Sequence, residues 1–277
     1  MVIGRGFLIV MLLAVNPISA SDIFVDNIIG RDADDGSTTH SSDGRSGPVY
    51  SIQRALQLAG FGDVIVLAKT GRPYYESLSL TGDRHSGTRF RPFIIQGNGA
   101  TISGLRSLPQ GSWQKAGSKL WKVTLTRKGH YRLLRNGRSL PEFKVEGGED
   151  PLSKLSPGEW TAWGGSLYFL QDGVDPPESQ AFAYSAEQTG ISLHHVSNVL
   201  ITDVTLQHFR FDGIHAQGLC DGIILDNVNS FENGRAGIVS SGASRIELYG
   251  GKIAGNSHHQ LVVLDHSTAI PDGCEIE

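Results

Sequence analysis

Between residues 186 and 277, apolar and polar positions alternate in bursts of three to five residues, and the bursts return at a fixed interval. Alternation of period two marks a β-strand with one buried face rather than a helix. The dipeptide Gly190-Ile191 comes back as Gly213-Ile214, as Gly237-Ile238 and, in looser form, as Gln260-Leu261, at spacings of 23, 24 and 23 residues. Three more columns keep that register: Val199, Ile223 and Ile246; Ile201, Leu225 and Leu248; Ala216, Ser240 and Val263. One unit of this length cannot bury its own apolar residues, so the units must stack, each strand on its counterpart, as coils of a parallel β-solenoid. Leucine-rich repeats are of similar length but need a leucine-and-asparagine frame that this chain lacks. Asn233 and Asn256 share a column and are expected to face inward and hydrogen-bond along the stack, because a buried amide must find partners.

The first half of the chain follows the same logic less regularly. Strands are expected around residues 64–67, 78–80, 93–96 and 100–103, separated by Gly and Pro turns. Ahead of them, Ile52, Ala55, Leu56 and Ala59 fall on one helical face, so residues 51–59 should form a short amphipathic helix that covers the apolar end of the first coil. Residues 105–185 break the period. They read as antiparallel strands with hairpin turns at Asn136-Gly137 and Gly164-Gly165, and they contain all four tryptophans. The expected organisation is an export signal (1–20), a cap with the first coils (21–104), an inserted β-rich subdomain (105–185) and the repeating coils (186–277).

Composition changes this picture at three points. A net charge of −4 and no polybasic run argue against nucleic acid as a partner. Residues 1–20 combine an early Arg5, an apolar run from Phe7 to Val15, Asn16-Pro17 and small Ser19-Ala20, the layout of a secretory signal. The run is too short to span a bilayer, so the mature chain should be extracellular or periplasmic, with no membrane contact after cleavage. The two cysteines, Cys220 and Cys274, lie at least two coils apart, roughly 10 Å by strand stacking, which is too far for a disulfide.

The stretches "FVDNIIGRDADDG", "GPVYSIQRALQLAGFGDVIVL" and "PFIIQGNGATISG", with the Gly-Ile coils, resemble secreted bacterial right-handed parallel β-helix proteins of the pectate-lyase-like superfamily. The resemblance covers residues 22–104 and 186–267. It implies an all-β right-handed parallel β-helix with a carbohydrate-linked role, in a superfamily that holds polysaccharide lyases, glycoside hydrolases and non-enzymatic adhesins. The insert resembles insertions in some β-helix carbohydrate enzymes. Neither a three-acid ladder in one column, as in calcium-dependent pectate lyases, nor the paired aspartates and Gly-His-Gly of polygalacturonases is present.

Candidate chemistry gathers in the turn before the Gly-Ile strand. Stacking brings Asp212, Glu232, Arg235, His258 and His259 onto one ridge as candidate catalytic residues, with Glu187 nearby, although solvated turns favour such residues in any case. A lyase would use Arg235 to hold a uronate carboxylate and His258 or His259 as the base. A hydrolase would need two carboxylates, for which Asp212 and Glu232 are the close pair. His215, Trp160 and Trp163 are the candidate substrate-binding residues, the tryptophans alternatively being the core of a small β-domain. His194, His195, Asp265 and His266 are read as surface residues rather than a metal set. No cofactor is expected. Calcium at Asp32–Ser37 is the one option, since the spacing suits oxygen ligands but the rest of an EF-hand loop is missing. The expected partner is an acidic polysaccharide, the alternative role being that of a non-catalytic glycan-binding β-helix. The chain ends on "GCEIE" with no capping element, which raises an expectation of self-association or truncation.

Overall fold

The structure is a computed structural model that describes residues 20–42, 44–145 and 150–277. The export signal, apart from Ala20, lies outside them. The body is a right-handed parallel β-helix whose coils carry strands on two long faces and one short face. On one long face Asp22–Val25, Val64–Leu67, Phe93–Ser103, Ser197–Gln207, Asp221–Asp226, Arg245–Tyr249 and Thr268–Asp272 pair in that order. On the other, Leu78–Thr81, Ile191–His194, Asp212–Gln217, Ala236–Ser240 and His259–Val263 do so. The short face consists of Asn229–Phe231, Lys252–Ala254 and Glu275–Ile276, which continue the second half of Ser197–Gln207. All of these pairings are parallel.

The register is the one the repeat implies. Val199 pairs with Ile223 and Ile223 with Ile246. Ile214 pairs with Ile238 and Ile238 with Leu261, and the first two side chains are fully buried. The recurring glycines have a steric cause. A Cβ on Gly213 would meet Ser230 and the Gly237 carbonyl, and one on Gly237 would meet Ile253 and the Gln260 carbonyl. The coils are too close at that corner for any side chain. The asparagine column forms as expected: Asn233 Nδ2 donates to Asn256 Oδ1 at 2.9 Å, and Asn233 Oδ1 accepts from the Phe209 amide at 3.0 Å.

The capping helix spans Ile52–Leu58, with Ser51 as its N-cap accepting from the Arg54 amide. Residues 93–96 and 100–103, expected as two strands, form one strand, Phe93–Ser103. Its left-handed Asn98 and Gly99 let it turn between faces without breaking the pairing, and the facing Asp203 has φ 51°. Within the insert, Trp160–Trp163, Ser166–Leu170, Leu120–Val123 and Gln114–Lys115 form one antiparallel sheet. Leu105–Ser107, Phe182–Ser185, Leu133–Arg135 and Arg138–Ser139 form another. The hairpins turn at Asn136-Gly137 and Gly164-Gly165, all four with positive φ. The insert has its own core, with Trp113, Trp121, Trp160, Phe169 and Phe182 packed together. Both cysteines are free, and Cys220 is fully buried.

Candidate functional site

The turn at 208–211 hands the chain into Asp212–Gln217, whose first residue points into the coil corner. The Asp212 carboxylate is fully buried and is gripped by Arg235 from the next coil, Nε to Oδ1 at 2.9 Å and Nη2 to Oδ2 at 2.5 Å. Their one-coil spacing, 23 residues, is what allows the bidentate geometry. The pair raises the Arg235 pKa, and the guanidinium lies over the Phe211 ring at 5.2 Å. Nη1 of Arg235 makes no hydrogen bond among the described residues.

Three residues along the strand, His215 places Nδ1 at 3.5 Å from Asp212 Oδ2 and Nε2 at 3.1 Å from Ser241 Oγ. A carboxylate beside Nδ1 favours the tautomer with its proton there, leaving the Nε2 lone pair to accept from Ser241. Burial pushes the His215 pKa below its usual value, Asp212 opposes this, and Arg235 and His194 add to it. The net effect favours the neutral ring. His215 and Arg235 line a cleft of about 530 Å³ together with Phe211, His194, Gln217 and Ser192.

The insert packs beside this cleft, against Phe211 and Arg210, without lining it. The His130 ring stands edge-on to Phe211 at 5.2 Å and to His258 at 5.1 Å. Arg210, itself buried, donates to the Lys128 carbonyl at 2.5 Å, and Arg127 and Arg106 both reach Glu187, at 3.3 and 2.9 Å. Burial lowers the His130 pKa, and the nearby His258 and Arg235 lower it further.

Several sequence expectations need correction. Asp212 and Glu232 share no partner. Glu232, at φ 48°, turns toward the insert, where it accepts from Ser139 Oγ and lies 3.3 Å from His208 Nε2. His208, Ser139 and Arg132 hold its carboxyl at about 2. It therefore ties the insert to the coils instead of forming a carboxylate pair. His258 and His259 are exposed and do not line the cleft: His258 packs its ring against His130 of the insert, and His259 opens the last strand of its face. Trp160 is 1% exposed, with Nε1 donating to the Leu140 carbonyl, so it is a core residue. Trp163 sits half-buried in the Trp160–Trp163/Ser166–Leu170 hairpin, away from the cleft.

The carboxylates of the Asp32–Ser37 turn diverge. Asp32 accepts from the Tyr50 and Ser51 amides, Asp34 pairs with Arg31 at 2.9 Å, and Asp35 accepts from Ser37. No group of three metal-ligating side chains occurs among the described residues. His194, read as a surface residue, lines the cleft because it pairs in register with Gln217. His130 was not singled out from the sequence, and nothing in the irregular insert marks which coil it will cover.

Residues 189–277 match the family model for a right handed beta helix region. Among solved structures, the chain is similar to one described as the complex structure of XylC with xylose, at TM-score 0.58 and 13% identity, covering 89% of this chain and 58% of that one. It is also similar to one described as a glycoside hydrolase, at TM-score 0.59 and 12% identity, covering 88% of this chain and 67% of that one. Likeness at this identity is a likeness of fold. A search of curated protein sequences finds no match.

Proposed function

We propose that the protein is an exported carbohydrate-active β-helix that cleaves an acidic polysaccharide by β-elimination at the Asp212–His215–Arg235 cluster. The observation that carries this reading is a carboxylate-oriented imidazole beside a guanidinium with an uncommitted Nη1, in one cleft. Arg235 Nη1 binds the uronate carboxylate and withdraws charge from the adjacent C5–H. His215 Nε2 takes that proton while Ser241 falls back on its other acceptor, the Ala216 carbonyl. The C5–H electrons become the C4=C5 double bond, the C4–O4 bond breaks, and the proton on His215 passes to the leaving oxygen. Asp212 stabilises the transient imidazolium.

Two-carboxylate hydrolysis has less support. Glu187 is paired with two arginines and Asp212 with one, so neither of these carboxylates is poised as a free acid or nucleophile. Export rests on the layout of residues 1–20, and among the described residues no helix is long and apolar enough to cross a membrane. The test is incubation of the full mature chain with polygalacturonate, alginate and glucuronan. Rising ultraviolet absorbance from unsaturated ends, lost in His215→Gln, is the expected result. New reducing ends without that absorbance would overturn elimination in favour of hydrolysis. Binding with neither would leave a glycan-binding β-helix.

A further inference from the structure

The reactive cleft does not end at its own rim. Ser77 lines it and also lines a second cleft of about 410 Å³ that runs toward the capping helix. Ser77 immediately precedes Leu78–Thr81, which is three strands from Ala236–Ser240, the strand that Arg235 leads into. At about 4.8 Å per strand Ser77, where the two clefts meet, and Arg235 are ~14 Å apart, so a ligand that reaches from Arg235 into the second cleft is an extended chain lying along the stack.

The two halves differ in chemistry. The second is lined by Tyr75 and Tyr50, 52% and 43% exposed, two aromatic faces left in water. Rings presented in this way suit the flat C–H faces of a sugar, and their hydroxyls can meet its own. Its charged groups are Asp32 and Glu76 against the single cation Arg72, with Glu187 already paired. Asp32 and Glu76 receive backbone amides, those of Tyr50 and Ser51 and those of Ile52 and Gln53, and neither forms an ion pair among the described residues. The first half offers Arg235 and the histidines.

We propose that the groove reads a mixed glycan, seating neutral sugar residues on Tyr50 and Tyr75 while a uronate occupies Arg235. The seat on the tyrosines follows from their exposed rings in a cleft that meets the reactive one at Ser77. The preference for neutral sugars follows from the carboxylates beside them, which repel a uronate there. This rests on the assignment of the uronate to Arg235, and the experiment separates the two claims.

Three probes are titrated calorimetrically into the full mature chain: digalacturonate, tetragalacturonate, and an aldotetraouronate carrying one uronate on three neutral xylose residues. The mixed tetrasaccharide should bind at least about tenfold more tightly than tetragalacturonate. Tyr75→Ala should weaken the mixed probe about fivefold while leaving digalacturonate unchanged. Glu76→Gln, checked for an unaltered melting profile, should strengthen tetragalacturonate. Tetragalacturonate binding as tightly as the mixed probe, with no loss in Tyr75→Ala, would overturn the mixed-glycan claim yet leave the uronate at Arg235 in place. Failure of digalacturonate to bind, or binding indifferent to Arg235→Ala, would remove the uronate assignment itself.

Discussion

Replacing Arg235 with alanine should destabilise the fold by about 2–4 kcal/mol, independently of any ligand. The reasoning starts from Asp212, whose side chain has no exposed surface and whose two oxygens both accept from Arg235. Removing one partner of a buried pair leaves an uncompensated charge, which typically costs about 3–5 kcal/mol. The Arg235 side chain is 39% exposed, so water can enter the space it vacates, and His215 at 3.5 Å offers partial compensation. Both effects lower the figure. Asp212→Asn in the alanine background removes the stranded charge and should recover more than half of the loss. The assay is denaturant unfolding of wild type, both single variants and the double variant, analysed as a cycle. At about 2–4 °C per kcal/mol for a chain of this size, Arg235→Ala should also melt ~4–16 °C lower. A loss below about 0.5 kcal/mol, or a double variant as unstable as two independent losses, would refute the claim that these side chains form one buried unit.

Ile238 lies mid-column with no exposure, so Ile238→Ala should cost about 2–5 kcal/mol and Ile238→Asp should prevent cooperative folding. A soluble Asp variant with an unchanged melt would exclude the register. Glu232 has its carboxyl held at about 2, below the usual 4.5, so its contribution is complete above pH ~4.5 and is lost as pH falls toward 2. With 42% of that side chain exposed, Glu232→Gln should cost only about 1–2 kcal/mol at pH 7, and the gap should close in melts taken through that acid window. Because burial depresses the His215 pKa, the acid limb of kcat/KM on a uronate polymer should fall below about pH 6.5, and a limb above it would contradict a neutral buried base. Thiol titration should label the half-buried Cys274 in the folded chain, slowed by the burial that raises its pKa, and Cys220 only after unfolding, with no disulfide found by non-reducing mass spectrometry.

The coils were legible because their signal is redundant. Each apolar column is written three or four times at one spacing, and a wrong register would expose every member at once. The Asn233–Asn256 contact was readable for a related reason, since a buried amide at that position has a single structural use, whereas Ser51, read as the first residue of the helix, caps it from outside. The site was only partly readable. Stacking placed Asp212 beside Arg235, but which way a turn residue points depends on local φ. At Glu232 a left-handed backbone sends the carboxylate to the insert and away from Asp212. His130 could not be found, because the antiparallel insert has no period to relate it to a coil. The tryptophans were a matter of burial, which composition alone does not decide.

The insert leaves and returns beside itself, Leu105–Ser107 lying antiparallel to Phe182–Ser185, so the stack continues as though uninterrupted. This sets an order for folding. Val199 finds Ile223 only 24 positions away, whereas Phe93 must find Val199 across 106. Closing the longer loop costs about 1.3 kcal/mol more entropy. The later coils can therefore nucleate locally and wait, while the N-terminal coils dock last, after the insert has drawn its own ends together. In a refolding experiment, protection from hydrogen exchange should appear first at Ile223 and Ile246 and last at Ile95. A sequence change that weakens the Leu105–Ser107 contact should slow the second event without touching the first.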